Sequence, residues 1–303
     1  MIDRAKNWFV FGGVVATLAA SGCARFRRQN VTPDSVVECR QLSREGVAAL
    51  ERGDAGRARE LLDKAVAASP GDLDARRELA EVLWGEGAVP EALQHMEAAV
   101  RLDPHHAPTV VRAGEMLLAA GAIDGAAQRA ADAVALDSTL AGAWALRGRV
   151  ARQRGQFDSA LADLQQALRF DPHDSGALIE SAELQYQLGR PQRCLTTLHC
   201  LLDAYPQTER PRRALWLEGL AYGAVDRKAD AVESLLAARD RGAPDADLLY
   251  QLARAQSEVG QATAATDSVR QAIALDGGTE PARALLAQLE GAGVPGVDTP
   301  LRR

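Results

Sequence analysis

Two groups of residues have the side-chain types needed for metal or thiol chemistry. His105 and His106 are adjacent, and two neighbouring residues in a turn do not readily direct both imidazoles at one ion without further ligands. Cys194, His199 and Cys200 share one predicted helix, but spacings of five and six residues put them on different faces of it. The sequence has no phosphate-binding glycine loop, zincin helix or serine elbow. It therefore predicts a protein that is not an enzyme, with no catalytic site, metal site, cofactor or small-molecule substrate.

Cys23 lies in a pattern typical of lipid attachment. Residues 1–7 include two basic side chains, and residues 8–20 have no charge, which together are typical of an export signal. Thirteen apolar residues are too few for a membrane-spanning helix, which needs about 20. The run LAASGC at 18–23 resembles the lipobox of bacterial lipoproteins, which implies cleavage before Cys23 and acylation of that residue. The alternative is a plain secretory signal with an unrelated cysteine, or an uncleaved anchor.

The charge balance excludes one large class of partners. The chain has 41 acidic and 35 basic residues, a formal net charge of −6. A nucleic-acid-binding protein needs a concentrated positive surface to displace counterions, so no nucleic-acid partner is expected. With 47% hydrophobic and 25% charged residues, the composition is that of an ordinary folded protein.

The chain repeats with a period of 34 residues. A glycine recurs at this spacing five times, and an alanine does so in two further columns, with Cys194 and Leu201 at the fifth places. These columns are Gly53, Gly87, Gly121, Gly155 and Gly189; Ala58, Ala92, Ala126 and Ala160; and Ala65, Ala99, Ala133 and Ala167. The glycine is expected to supply the left-handed residue that ends a helix. The alanine columns are seven residues apart, so they lie on one helix face and allow a second helix to approach closely.

This pattern resembles the tetratricopeptide repeat (TPR), which implies an all-α fold: a right-handed α-solenoid of about seven helix-turn-helix repeats with a C-terminal capping helix. The best unit has Trp144, Gly148, Gly155, Phe157, Ala160, Ala167 and Pro172. The predicted segments are a leader (1–22), a lipidated tether (23–38), the array 39–279 in units 39–72, 73–106, 107–140, 141–174, 175–208, 212–245 and 246–279, a capping helix (280–290) and a disordered tail (291–303).

Stability in such an array comes from stacking. One 34-residue hairpin buries too little apolar surface to offset its ordering entropy, whereas stacked hairpins form one continuous core. Three extra residues, 209–211, break the period, and Asp226 replaces the expected glycine in the sixth unit. We therefore expect the junction at 209–211 to be the weakest point of the array and its first site of proteolysis.

The resemblance to TPR proteins also implies a binding surface. In that family, the first helices of successive repeats line a concave groove that holds a protein or peptide. The side chains that map to groove positions here are Arg77, Glu81, Trp84, Glu115, Leu118, Arg149, Arg152, Ile179, Glu183, Tyr186, Trp216, Tyr250 and Arg254. Trp, Tyr and Arg are the side chains that most often anchor protein interfaces. Packing on the next helix, or plain solvation of the arginines, is the alternative at each of these positions.

These features predict a non-enzymatic scaffold for protein–protein contacts at the cell envelope. Acyl chains on Cys23 would hold it in a membrane, and Ala24, by resemblance to enteric lipoproteins, favours the outer membrane with the array facing the periplasm. The plan is similar to TPR lipoproteins that help assemble outer-membrane, secretion or pilus machines. The alternative is a regulator or accessory subunit that positions a cell-wall or polysaccharide-export enzyme.

Overall fold

The computed structural model describes residues 32–243 and 245–292, and this part of the chain contains helices and no strand. The fifteen α-helices of these residues are α1 (Pro33–Glu51), α2 (Ala55–Ala68), α3 (Leu73–Gly85), α4 (Val89–Leu102), α5 (Ala107–Ala119), α6 (Ile123–Leu136), α7 (Ala141–Gln153), α8 (Phe157–Phe170), α9 (Ser175–Gln187), α10 (Pro191–Leu202), α11 (Arg212–Ala224), α12 (Lys228–Arg239), α13 (Ala246–Glu258), α14 (Ala262–Asp276) and α15 (Glu280–Ala292). They form seven hairpins, each with an odd-numbered first helix and an even-numbered second helix, followed by α15. The predicted all-α fold of seven repeats and a final helix is confirmed.

One left-handed residue separates the two helices of every hairpin, and each second helix begins two residues after it. In the first five hairpins this residue is the repeated glycine, with φ between 68° at Gly189 and 80° at Gly121. Gly260 takes the same place in the seventh hairpin, with φ 81°. Asp226 takes it in the sixth, with φ 62°. The predicted role of the glycine column is confirmed, and the backbone keeps its path at Asp226 although a side chain makes that conformation costly.

The alanine columns lie at the contact between helices. All eight alanines of the two columns, and Cys194, are fully buried with no exposed surface. Leu62, Met96, Leu164 and Leu198 lie between the columns and are equally buried. The small residues thus let the helices approach, as predicted, and the larger ones fill the space between them.

Packing between hairpins decides which face is concave. Each second helix packs against the first helix of the next hairpin, and several first helices also contact one another, as α5 and α7 do. Among the described residues, the second helices make no comparable contact with one another. The first helices are therefore closer together, and they form the concave face of the stack.

The junction after the fifth repeat is a surface connection beside a continuous core. A single turn of 3₁₀ helix (Gln207–Glu209) lies between α10 and α11, and residues 206–209 are exposed. The core nevertheless continues across it, because buried side chains from α9 to α13, such as Leu198, Leu217 and Leu252, form one cluster. The three inserted residues lengthen a surface connection and leave the core uninterrupted. The predicted weakness and early proteolysis of this junction stay predictions.

The ends of the array differ from the predicted boundaries. Helix α1 includes residues 33–38, which the sequence assigned to the tether. Thr32 caps this helix and Pro33 occupies its first turn, where a proline costs nothing because the first backbone N–H groups have no partner there. At the other end, α15 extends to Ala292, two residues beyond the predicted capping helix. The predicted leader, Cys23, residues 24–31 and the tail from 293 lie outside the described residues. None of the described helices is long and apolar enough to span a membrane.

Candidate interaction surface

The groove residues mapped from the sequence lie on the first helices, and a line of charged side chains runs along the concave face. Glu81, Glu115, Arg149 and Glu183 are 34 residues apart and come from α3, α5, α7 and α9. Each occupies the same place in its repeat, so neighbouring members of the line face one another across adjacent helices.

Arginine–carboxylate hydrogen bonds link the first part of this line. Arg112 on α5 donates from Nε and Nη2 to the two carboxylate oxygens of Glu81 on α3, at 2.6 and 2.7 Å. Its Nη1 donates to Glu115 at 3.2 Å. Arg149 on α7 then donates to Glu115 at 3.2 Å and to Glu180 on α9 at 2.8 Å. Five side chains thus connect four successive first helices.

A second, shorter set of bonds continues to α11. Arg152 on α7 and Arg213 on α11 each donate to Glu183 on α9, at 2.8 Å. The guanidinium of Arg213 also lies over the ring of Trp216, with 4.3 Å from Cζ to the ring centroid. We call these eight charged side chains the ladder: Glu81, Arg112, Glu115, Arg149, Arg152, Glu180, Glu183 and Arg213.

The electrostatics of the ladder favour the charged forms of Arg112 and Arg149. The hydrogen bond to Glu81 is the main reason that the pKa of Arg112 is raised, against an opposing effect of burial. Burial lowers the pKa of Arg149, but the carboxylates of Glu180, Glu115 and Asp174 together outweigh this effect, so the net pKa is also raised. Each ladder charge therefore has an opposite charge as its immediate neighbour.

Aromatic and aliphatic side chains flank the ladder. Trp84 and Tyr186 are three residues after Glu81 and Glu183, on the same face of their helices. Both are half-buried and pack on the core with one side. Ile179 and Trp216 are likewise half-buried against the core of α9–α13. Leu118 is only 7% exposed, so it belongs to the core and offers little surface to a partner.

Three of the mapped residues lie beyond the ladder. Arg77 pairs with Asp74 of its own helix at 3.3 Å. Near the other end, Tyr250 is half-buried against α14 and α15, and the exposed Arg254 is 3.9 Å from Glu258. Within the described chain, the ion pairs of Arg77 and Arg254 do not include any of the eight ladder side chains.

Clefts open at the two steps outside the ladder. A cleft of about 610 Å³ separates α1 from α3 and is bordered by Arg44 and Glu78. Another, of about 540 Å³, lies between α11 and α13 beside Arg213, Trp216 and Asp247. The concave face therefore has an open cleft near either end of the ladder.

Three ladder residues, Arg112, Glu180 and Arg213, were not among those mapped from the sequence. A usable signal was present for Arg112 and Glu180, because Glu81 and Arg112, Arg149 and Glu180, and Arg152 and Glu183 are all opposite charges 31 residues apart. One repeat minus one helical turn brings such residues side by side on adjacent first helices. Arg213 is 30 residues from Glu183 and does not share this spacing.

The residues considered for metal or thiol chemistry are separated or occupied by structural contacts. Cys194 is fully buried in the core, and burial raises the pKa of its thiol to about 12, which disfavours the reactive thiolate. His199 lies 2.9 Å from the hydroxyl of Tyr222, while Cys200 is exposed. His106 caps α5 through its imidazole, and His105 is exposed. Within the described chain, no three His, Cys, Asp or Glu side chains converge on a metal-sized site.

Comparison with solved structures agrees with the fold. A tetratricopeptide repeat protein from Parabacteroides merdae is similar with a TM-score of 0.59, 16% identity, and coverage of 84% of this chain and 99% of that one. Pseudomonas aeruginosa pilF is similar with a TM-score of 0.53, 18% identity, and coverage of 84% and 99%. YrrB, described as a TPR protein with an unusual peptide-binding site, has a TM-score of 0.54, 16% identity, and coverage of 62% and 96%. No curated protein matches the sequence.

Two segments of the sequence match the repeat family directly. Residues 43–107 match one sequence model of the tetratricopeptide repeat, and residues 151–215 match a second. The first covers most of α1–α4, and the second runs from the end of α7 to the start of α11. These two segments therefore have the sequence of tetratricopeptide repeats, in agreement with the 34-residue hairpins and the stacked fold.

Proposed function

We propose that this protein is a non-enzymatic scaffold that holds a peptide segment or a protein surface on its concave face. One observation carries the proposal: Trp84, Tyr186, Trp216 and Tyr250 lie half-buried along the first helices, and half of the eight Trp and Tyr residues of the chain are thus at positions lining one face. Large aromatic side chains that are fixed on one side and open on the other are typical interface anchors. TPR proteins in general bind protein partners, and YrrB is described as having a peptide-binding site.

We place the scaffold at the cell envelope on the basis of the sequence around Cys23. Acylation of Cys23 would add about 0.8 kcal/mol for each CH₂ group buried in the bilayer, and several chains together give stable anchoring. The array would then face the periplasm from the outer membrane and contribute to the assembly of an outer-membrane, secretion or pilus machine.

The membrane part of the proposal is tested by Cys23→Ser. We expect the wild-type protein to incorporate an alkyne-labelled fatty acid and to sediment with membranes. The Cys23→Ser variant should lose the label and leave the membrane fraction. If the variant stayed in the membrane fraction with the same mass as the wild-type protein, the lipoprotein assignment would be wrong.

The binding part is tested by capture from detergent-solubilised membranes with a matched pair of variants. The first combines Trp84→Ala, Tyr186→Ala and Trp216→Ala on the concave face. The control combines Leu102→Ala, Phe157→Ala and Phe170→Ala, whose side chains are exposed by 43%, 38% and 40% on second helices. Circular dichroism must show that both variants remain folded.

We expect the concave variant to lose a defined partner that the wild-type and control proteins retain. Components of an envelope machine among the captured proteins would support the assembly role, whereas a cell-wall or polysaccharide synthase would support the accessory-subunit alternative. Loss of capture in the control variant alone would show that the partner binds the face formed by the second helices.

A further inference from the structure

The ladder is electrically neutral as a unit. It contains four carboxylates (Glu81, Glu115, Glu180, Glu183) and four guanidinium groups (Arg112, Arg149, Arg152, Arg213), so its formal charges sum to zero. Each of the eight is within 3.2 Å of an oppositely charged group on a neighbouring first helix or its own helix. The floor from α3 to α11 therefore presents charges that are already paired.

The pairing leaves little for a charged ligand to gain. Glu183 accepts hydrogen bonds from arginines on both sides, and its side chain is only 12% exposed. Arg112 uses Nε, Nη1 and Nη2 on Glu81 and Glu115. A ligand carboxylate or ammonium would have to replace one of these contacts. It would lose its own hydration, and the number of ion pairs would not increase.

The surface that stays available beside the ladder is apolar. Trp84, Ile179, Tyr186 and Trp216 are half-buried, so each keeps part of its surface open to solvent, although the guanidinium of Arg213 lies over the ring of Trp216. The open sides lie in line with the ladder, three or four residues from a ladder member on the same helix. Removing apolar surface of this kind from water contributes roughly 25 cal/mol per Å² and does not depend on ionic strength in the way that charge attraction does.

We infer that the partner segment bound by this face has low net charge and is recognised through aromatic or aliphatic side chains that pack beside the ladder. This inference rests on the proposed peptide-binding function and adds the chemistry of the ligand. The ladder acts as a neutral spacer that holds the first helices in register, and it disfavours strongly charged segments because such segments would have to break its pairs.

The test is selection from a phage-displayed library of random peptides about 12 residues long, a length that spans roughly 40 Å when extended. The detergent-solubilised full-length protein is the bait, and panning is carried out at about 0.05 M and about 0.5 M NaCl, which shortens the screening length from about 14 to about 4 Å. We expect both conditions to enrich peptides that have aromatic or aliphatic residues and little net charge. Their Kd should change by less than about twofold between the two salt concentrations.

Two variants make the test specific to the ladder. Arg149→Ala leaves Glu180 without its arginine and leaves Glu115 with Arg112 as its remaining partner. Arg112→Ala, which removes the arginine from Glu81, serves if the first variant does not fold. Either should acquire affinity for lysine-containing peptides, with a Kd that weakens at least about fivefold at the higher salt concentration.

Three results would count against the inference. Enrichment of strongly charged peptides by the wild-type protein, with a Kd that weakens tenfold or more at high salt, would overturn it while leaving peptide binding intact. Folded ladder variants whose peptide preferences match those of the wild type would also overturn it. No enrichment in any condition would contradict the proposed peptide-binding function, and the inference would fall with it.

Discussion

Arg112 and Glu81 are 31 residues apart in sequence and form a two-pronged contact between α5 and α3, with N–O distances of 2.6 and 2.7 Å. We expect this pair to couple the second and third repeats. A double-mutant cycle of Glu81→Ala and Arg112→Ala should give a coupling free energy of about 0.5–1 kcal/mol in urea unfolding, since both side chains are more than one-third exposed. Additive effects of the two substitutions would show that the pair contributes nothing to stacking.

Asp226 has a left-handed backbone that six glycines adopt at the equivalent position without strain. We expect Asp226→Gly to increase the free energy of unfolding by about 0.5 kcal/mol, because relief of a strain of about 1–2 kcal/mol is partly offset by the flexibility of glycine in the unfolded chain. The reverse change, Gly260→Ala, meets no neighbouring atom and should lose about 1 kcal/mol through φ alone. Equal stability of all three proteins would contradict this account of the turn.

Glu78 borders the α1–α3 cleft, and its pKa is raised by burial and by the carboxylates of Glu81 and Asp74, against the effect of Arg77. Because the folded state holds this proton more tightly than the unfolded state, stability falls as pH rises from the ordinary value of 4.5 through the raised value. Glu78→Gln should therefore stabilise the protein at pH 7, and the advantage should disappear at a pH well below 4.5. A stabilisation that is the same at both pH values would contradict the assignment.

The connection at 203–211 is exposed over most of its length, yet the core on either side is continuous. We expect the glutamate-specific V8 protease to cut after Glu209 before it cuts within the helices, as the sequence predicts. The two fragments should remain together in gel filtration, because α10 and α11 share buried leucines such as Leu201 and Leu215. Separation of the fragments under native conditions would show that the junction at 209–211 is the weak point that the sequence predicts.

The sequence predicted the repeats because their determinants are local. A glycine at Gly155 or an alanine at Ala160 has one structural role within its own hairpin, and 34-residue spacing makes that role visible. The continuity of the core at 209–211 was not predictable in this way. A break in the 34-residue spacing does not indicate whether the inserted residues lie on the surface or interrupt the core. The predicted tether overlaps the start of α1 because a proline such as Pro33 usually opposes a continuous helix. Thr32 caps α1 and makes Pro33 a first-turn residue, where it is tolerated.

The site was predictable in position and less so in chemistry. Mapping by repeat position identified five of the eight ladder residues and the aromatic side chains beside them. It presented arginines such as Arg149 as ligand contacts, and the structure pairs this one with Glu115 and Glu180. That pairing depends on how adjacent helices are offset along the stack, which no single repeat specifies.

The most direct test of the central claim is the affinity of one selected peptide for three proteins, measured by titration calorimetry. The variant with Trp84→Ala, Tyr186→Ala and Trp216→Ala should bind at least about tenfold more weakly than the wild type, because truncated aromatic anchors typically cost more than 1 kcal/mol each. The control with Leu102→Ala, Phe157→Ala and Phe170→Ala should bind within about twofold of it. Equal affinity of the wild type and the concave variant, with loss in the control, would contradict binding on the concave face.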